Sequence, residues 1–253
     1  MILEKFKLDG KVAIVTGAST GLGQGMAIAL AEAGADIAGV ATSDLSETKI
    51  LVEKTGRRFL AIKADLSTLE PIQGIIDQTV AAFGRIDILV NNAGIIRRED
   101  ALEFTEKDWD DVMDVNIKAV FFLSQAVARQ FLNQETRGKI INIASMLSFQ
   151  GGVRVPSYTA SKSGVMGVTR SLANEWAKFN INVNAIAPGY MVTNNTEALR
   201  ADEDRSKSIL ERIPAGRWGV PEDMAGAVVF LASAASDYVN GYTMAVDGGW
   251  LAR

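Results

Sequence analysis

The chain contains no cysteine and no histidine, and only 5 prolines, in 253 residues. Without cysteine there is no disulfide framework, zinc ribbon, thiol nucleophile or redox pair. Without histidine there is no Ser-His-Asp triad and no imidazole ligand, so no metal site is expected. Acid-base chemistry must then come from Tyr, Lys, Asp, Glu or a bound cofactor. No apolar run reaches the ~18 residues of a membrane span. Met1 to Asp9 carry Glu4, Lys5, Lys7 and Asp9 in place of a secretory leader's apolar core, so a soluble cytoplasmic protein with no membrane partner is expected. A basic excess is missing too. Lys and Arg number 26 against 30 Asp and Glu, a formal charge of −4, which argues against nucleic acid as a partner.

What is present is an ordinary globular composition, 48% apolar and 22% charged, long enough for one large domain. Short β-branched runs (Val12–Val15, Ala35–Val40, Phe59–Ile62, Ile86–Val90, Ile140–Ile143, Ile181–Ile186, Tyr242–Val246) alternate with stretches of helical spacing, such as Ile72, Ile75, Ile76, Thr79 and Val80. Continuous apolar strands separated by helices predict an α/β fold: a single Rossmann-like, doubly wound domain over 1–253, its seven-stranded parallel sheet covered by helices on both faces. The most polar stretch, 193–212, is helical in pattern and is the expected substrate flap.

The first strand runs into Thr16-Gly17-Ala18-Ser19-Thr20-Gly21-Leu22-Gly23 and then an Ala-rich helix. Glycines at a strand-to-helix turn permit the bend and let main chain approach a pyrophosphate, which the helix N-terminus attracts. The spacing is G-x-x-x-G-x-G, and the Lys of a P-loop is missing. Asp65 and Leu66 end the third strand, and Asn91-Asn92-Ala93-Gly94 ends the fourth. All lie at carboxyl ends of strands, where open α/β sheets bind ligands. The adenosine ribose is expected near Thr42. No Lys or Arg stands between Asp36 and Lys49 to pair with a 2′-phosphate, and Thr20 is not basic, so NAD is expected in preference to NADP.

Beyond the fifth strand, Ser145 is followed 13 residues later by Tyr158, and Lys162 lies one helical turn further on the same face. An ammonium there stabilises a phenolate, which predicts a phenol pKa drawn towards neutrality. Ser145 can donate to a carbonyl oxygen, and Asn116 can hold Lys162 through a water or a carbonyl.

Together, the glycine turn, Asn91-Asn-Ala-Gly94, Asn116, Ser145, Tyr158-x-x-x-Lys162 and Pro188-Gly189 with Thr193 resemble the short-chain dehydrogenase/reductase family over nearly the whole chain. The resemblance implies Tyr158 as acid-base, Lys162 lowering its pKa and holding the nicotinamide ribose, Ser145 on the substrate oxygen, Asn116 on a proton-relay water and Thr193 on the carboxamide. Enoyl reductases of the superfamily space Tyr and Lys more widely, so the four-residue spacing implies carbonyl and alcohol chemistry. Less general segments, among them 96–104, 145–152, 187–196 and 246–253, are similar to members acting on deoxy sugar acids. They imply a small sugar-acid substrate contacted by Ser145, Leu147, Gln150, Arg154, Tyr190 and Asn194, with Arg97 and Arg98 in loops that could reach the pocket. A homotetramer is also implied, its interfaces formed by the helices after the fourth and fifth strands and by Gly248-Gly249-Trp250-Leu251. An acyl-carrier-protein ketoreductase and a non-catalytic dinucleotide sensor are the alternatives on the same fold.

Overall fold

In the computed structural model, which describes residues 1–253, the β-branched runs become seven strands: β1 (Val12–Thr16), β2 (Asp36–Ala41), β3 (Phe59–Lys63), β4 (Ile88–Asn91), β5 (Gly138–Ile143), β6 (Ile181–Pro188) and β7 (Thr243–Val246). All pairings are parallel, in the order β3-β2-β1-β4-β5-β6-β7. The helices are α1 (Gly21–Glu32), α2 (Ser46–Lys54), α3 (Ile72–Phe83), α4 (Glu106–Met113), α5 (Ala119–Asn133), α6 (Pro156–Trp176), α7 (Glu197–Ala201), α8 (Glu203–Leu210) and α9 (Ala225–Ala232). No helix is long and apolar enough to cross a membrane.

Every residue of β1 is buried, because successive side chains feed two cores on opposite faces. Ala13 and Val15 join Met26 and Leu30 of α1 and Val228 of α9. Ile14 joins Ile75 of α3, Leu123 and Phe131 of α5 and Leu172 of α6. The single doubly wound domain expected from the sequence is therefore the observed one.

Strand limits differ from the sequence reading where side chains replace ladder bonds. Ile86 lies outside β4 because the Gln134 amide bonds both its main-chain groups, at 2.9 and 2.8 Å. Tyr242 lies outside β7, its N–H donating to Asn184 Oδ1 at 3.0 Å. The helix after β4 is not continuous. A π-turn at Asp114–Lys118 separates α4 from α5 and turns Asn116 fully inward, the kind of local widening that recurs at functional sites.

The sheet reverses its winding between β1 and β4, so the connections that follow these neighbouring strands leave towards opposite faces and open a crevice at their carboxyl ends. Thr16 ties the two ends together. Its Oγ1 accepts from the main-chain N–H groups of Asn92 (3.0 Å) and Ala93 (2.9 Å), and Asn92 Nδ2 donates to Thr16 O at 2.9 Å.

Candidate active site

The crevice opens as a cleft of about 340 Å³, a size suited to a small ligand. Along its floor run Gly17, Ser19, Thr20, Gly21, Leu22 and Gly23 from the first turn, Asn92, Ala93 and Gly94 from the end of β4, and Pro188, Gly189 and Thr193 beyond β6. Its far wall holds Ser145, Tyr158 and Lys162. A second hollow of about 190 Å³ shares Gly17, Ser19, Ala93 and Gly94 with the first and adds Thr42, Asp65 and Leu66. The structure thus brings all the sequence-derived cofactor residues to one continuous surface. Ile143, Ala144, Met191, Asn195 and Thr196 also line the cleft, and Ser43 the hollow, without having been singled out. Their only sequence signal is adjacency to the strand ends.

The turn fits a dinucleotide because it has no side chains in the way. Gly17 has φ +64°, and a Cβ on Gly23 would fall 2.1 Å from Gly17 O. Main chain is therefore laid bare at the N-terminus of α1, where its N–H groups and dipole attract a pyrophosphate. In the adenosine-side hollow the polar side chains are the hydroxyls of Ser19, Thr42 and Ser43 and the carboxylate of Asp65, and Ser43 Oγ donates to Ser19 Oγ at 2.8 Å. Asp44 faces the start of α2, where hydrogen bonds from Ser46 hold its carboxyl below the usual carboxylate range. Asp65 also serves as a turn former, accepting from Ser67 N–H at 2.9 Å.

At the chemical end, α6 is docked on β5 by buried polar groups. Lys162 Nζ donates to Ile143 O at 2.7 Å, and Ser148 Oγ donates to Lys162 O at 2.7 Å. Ser148 also receives the Ser145 N–H at 3.3 Å, so the loop carrying Ser145 and the helix carrying Tyr158 share one hydroxyl. Asn116 does not reach Lys162. Its amide bonds Ile95 N–H (2.8 Å), Ile95 O (3.0 Å) and Ser161 Oγ (3.2 Å), and Ser161 donates to Tyr158 O at 2.9 Å. Asn116 therefore braces Tyr158 from behind. Ser148 and Ser161 were not foreseen, since a serine in a loop or on a helix carries no signal of its own.

The electrostatics correct one expectation. Burial pushes the Tyr158 phenol above its ordinary pKa, opposed by a hydrogen bond with Ser145 and by the positive charge of Arg98. Lys162 is brought down to about 8 by burial. The ammonium is directed at Ile143 O and lies 5.7 Å from the Tyr158 ring centre. Desolvation is the largest effect on the phenol, which at neutral pH is a proton donor.

Of the expected substrate contacts, Ser145 and Asn194 line the cleft. Leu147 packs among Met146, Ile209 and Ile213, and Tyr190 stacks edge-on against Trp218 and Trp250. Gln150 lies outside the cleft lining. Arg154 is paired with Glu99 and Asp100, and Arg97 with Asp108 and Asp111, so neither is free for a substrate. Arg98 remains: it has no acidic partner, and its Nη2 donates to Asn195 O at 2.8 Å. Trp250 is 4% exposed in the single chain, packed against Tyr190.

A profile described as Enoyl-(Acyl carrier protein) reductase matches residues 17–251. The chain is 71% identical to 2-dehydro-3-deoxy-D-gluconate 5-dehydrogenase of Escherichia coli (strain K12), with 100% of both chains covered. A solved structure from Agrobacterium tumefaciens with bound NADP is 59% identical, with a TM-score of 0.93 over 98% of this chain and 99% of that one. A gluconate 5-dehydrogenase from Burkholderia cenocepacia J2315, in complex with NADP and tartrate, is 39% identical with a TM-score of 0.94 and full coverage of both chains.

Gly23→Ala tests the cleft as a dinucleotide site, because its methyl group would collide with the Gly17 carbonyl. The Kd for NADH, followed by fluorescence titration, should rise more than about tenfold while far-UV circular dichroism stays native. An unchanged Kd would remove the first turn from the binding surface.

Proposed function

The chain belongs to the short-chain dehydrogenase/reductase family, as an oxidoreductase acting on a CH–OH group, and on that premise we propose that it reduces the C5 ketone of 3-deoxy-2,5-hexodiulosonate to 2-dehydro-3-deoxy-D-gluconate. NADH is the preferred reductant. The observation that carries this reading is the buried phenol of Tyr158, kept protonated beside Ser145, with the unpaired guanidinium of Arg98 close enough for its charge to reach that phenol. Arg98 reaches the rim of the cleft through its bond to Asn195, which lines it together with Tyr158. The 71% identity to a relative named for this deoxy sugar acid supports the substrate, and tartrate on a more distant relative supports a hydroxy-acid class.

The bound reduced nicotinamide supplies the hydride to the carbonyl carbon. Ser145 and Tyr158 donate to the carbonyl oxygen, and Tyr158 passes its proton to the oxygen as negative charge develops there. Lys162 has three donors and gives one to Ile143 O, leaving two for the nicotinamide ribose and for stabilising the phenolate that forms. Arg98 takes the carboxylate, which orients the ketone over Ser145. Residues 193–212 act as the flap, and Thr193 and Asn194 bring its near end to the cleft. The protein works as a homotetramer whose contacts use α4 and α5 after β4, where Trp109 and Phe122 stand 40% and 37% exposed, α6 after β5, and the Gly248-Gly249-Trp250-Leu251 segment.

The cofactor preference rests on charge. The hollow that would receive a 2′-phosphate is lined by hydroxyls of Ser19, Thr42 and Ser43 and by no Lys or Arg, with ionised Asp44 next in the chain. Hydroxyls can accommodate a phosphate, in keeping with NADP on two solved relatives. Lacking a cation, they hold it less well than a charge-assisted pair would, by about 1.5 to 3 kcal/mol.

Two measurements test the reading. In a panel of keto-deoxy sugar acids and neutral ketoses, kcat/KM should be highest for 3-deoxy-2,5-hexodiulosonate, and Arg98→Gln should raise KM for the acids by more than about tenfold while leaving neutral ketoses unchanged. Preference for neutral ketones in the wild type would overturn the substrate class. For the cofactor, wild-type kcat/KM should favour NADH by about ten- to a hundredfold, and Thr42→Arg should shift it towards NADPH. A wild type that prefers NADPH would overturn that assignment.

A further inference from the structure

The two ends of the 193–212 segment are held very differently. At the near end, Asn194 and Asn195 are exposed, and the tie across the cleft is the single hydrogen bond from Arg98 to Asn195 O, 2.8 Å long. The bond from Arg200 Nη2 to Thr193 O, 3.2 Å, lies within the segment itself. The far end, by contrast, is part of a small apolar core. Ile209 and Ile213, 3% and 5% exposed, pack with Met146 and Trp250, and Leu199 of α7 rests against the same core, so that only residues 193–198 lie clear of it.

Trp250 is the centre of that core. Its ring stands 4.8 Å from the Tyr190 ring at 70°, and the Arg212 guanidinium lies 4.2 Å over its face. Its indole N–H is buried and has no acceptor. The ring therefore holds its place by packing and by the cation above it, despite an unsatisfied donor. Arg253 adds a tie to Arg212 O at 3.4 Å. On its other side the core includes Met146, the residue after Ser145, within the short 3-10 turn that Ser145 caps.

We propose that Trp250 is a positioning residue for the reaction: it pins the far part of the flap, residues 209–213 with Leu199, to the Ser145 loop, so that the flap opens only at its 193–198 end while Ser145 keeps its register with Tyr158. The proposal rests on the reading of 193–212 as a flap. A hinge fixed by packing and a tip released by one hydrogen bond let the cleft admit a substrate without disturbing the proton donor.

The test uses the full-length protein and three variants: Trp250→Ala, Trp250→Phe and Arg212→Gln. Trypsin cleavage after Arg200, Arg205 and Lys207 is followed with and without NADH, alongside kcat and KM for the carbonyl substrate. In the wild type NADH slows these cleavages. Trp250→Ala should be cut about tenfold faster and lose the protection by NADH, with KM raised about tenfold and kcat lowered about tenfold as Ser145 loses its register. Trp250→Phe should restore wild-type values, and Arg212→Gln should move both readouts in the direction of Trp250→Ala by a smaller factor. Wild-type cleavage and KM in Trp250→Ala, or a fall in kcat alone at unchanged KM, would overturn the hinge role. Should Trp250→Ala not fold, unchanged cleavage and KM in Arg212→Gln would overturn it equally. Failure of the flap reading itself shows in the wild type, as cleavage indifferent to NADH, and the proteolysis needs no knowledge of the carbonyl substrate.

Discussion

A buried lysine bonded to a strand carbonyl is the constraint on which the rest of the site depends. Lys162 Nζ and Ile143 O, 2.7 Å apart, join the middle of α6 to the end of β5. That contact sets Tyr158, one turn earlier on α6, opposite Ser145, two residues beyond the strand. Leaving the ammonium without that acceptor would expose it to the full cost of burial. Ser148 repeats the connection from the other side, bonding Lys162 O and the Ser145 N–H. Rigid placement of the donors before the substrate arrives is what electrostatic catalysis requires.

Burial acts on the two titrating groups in opposite senses. It raises the phenol and lowers the ammonium to about 8, so at neutral pH the phenol keeps its proton and the lysine still carries most of its charge. A phenol that keeps its proton is an acid awaiting a basic oxygen, which suits ketone reduction at neutral pH. Ser145 and Arg98 oppose the rise. In the proposed reaction the same two groups meet the substrate. Asn116 contributes through main chain, fixing Ile95 and Ser161 instead of touching the lysine.

The parts of this arrangement readable in the sequence are those written locally. Apolar runs such as Val12–Val15 announce strands because their period is short. The glycine turn announces itself because a Cβ on Gly23 has nowhere to go. Tyr158 and Lys162 share a helix face by spacing alone. What could not be read depends on chain segments far apart. The π-turn that delivers Asn116 interrupts a helical pattern without a proline or glycine to mark it. Arg97 and Arg154 looked as available as Arg98 until α4 and the 99–100 loop supplied acids for them. The direction of the Tyr158 shift was misread because desolvation is a property of the packed site, whereas the neighbouring charge is visible in the sequence. Trp250 packs inward in the single chain because Ile209, Ile213 and Tyr190 converge on it from three separate segments.

The most direct measurement is steady-state turnover and NADH binding in Tyr158→Phe. The phenol is the one group assigned to deliver the proton, and phenylalanine keeps its ring and its packing. The account predicts a kcat lowered by at least about a thousandfold, with the Kd for NADH within about threefold of wild type. A variant that turns over at the wild-type rate would contradict it, and so would one whose lost activity is matched by lost NADH binding.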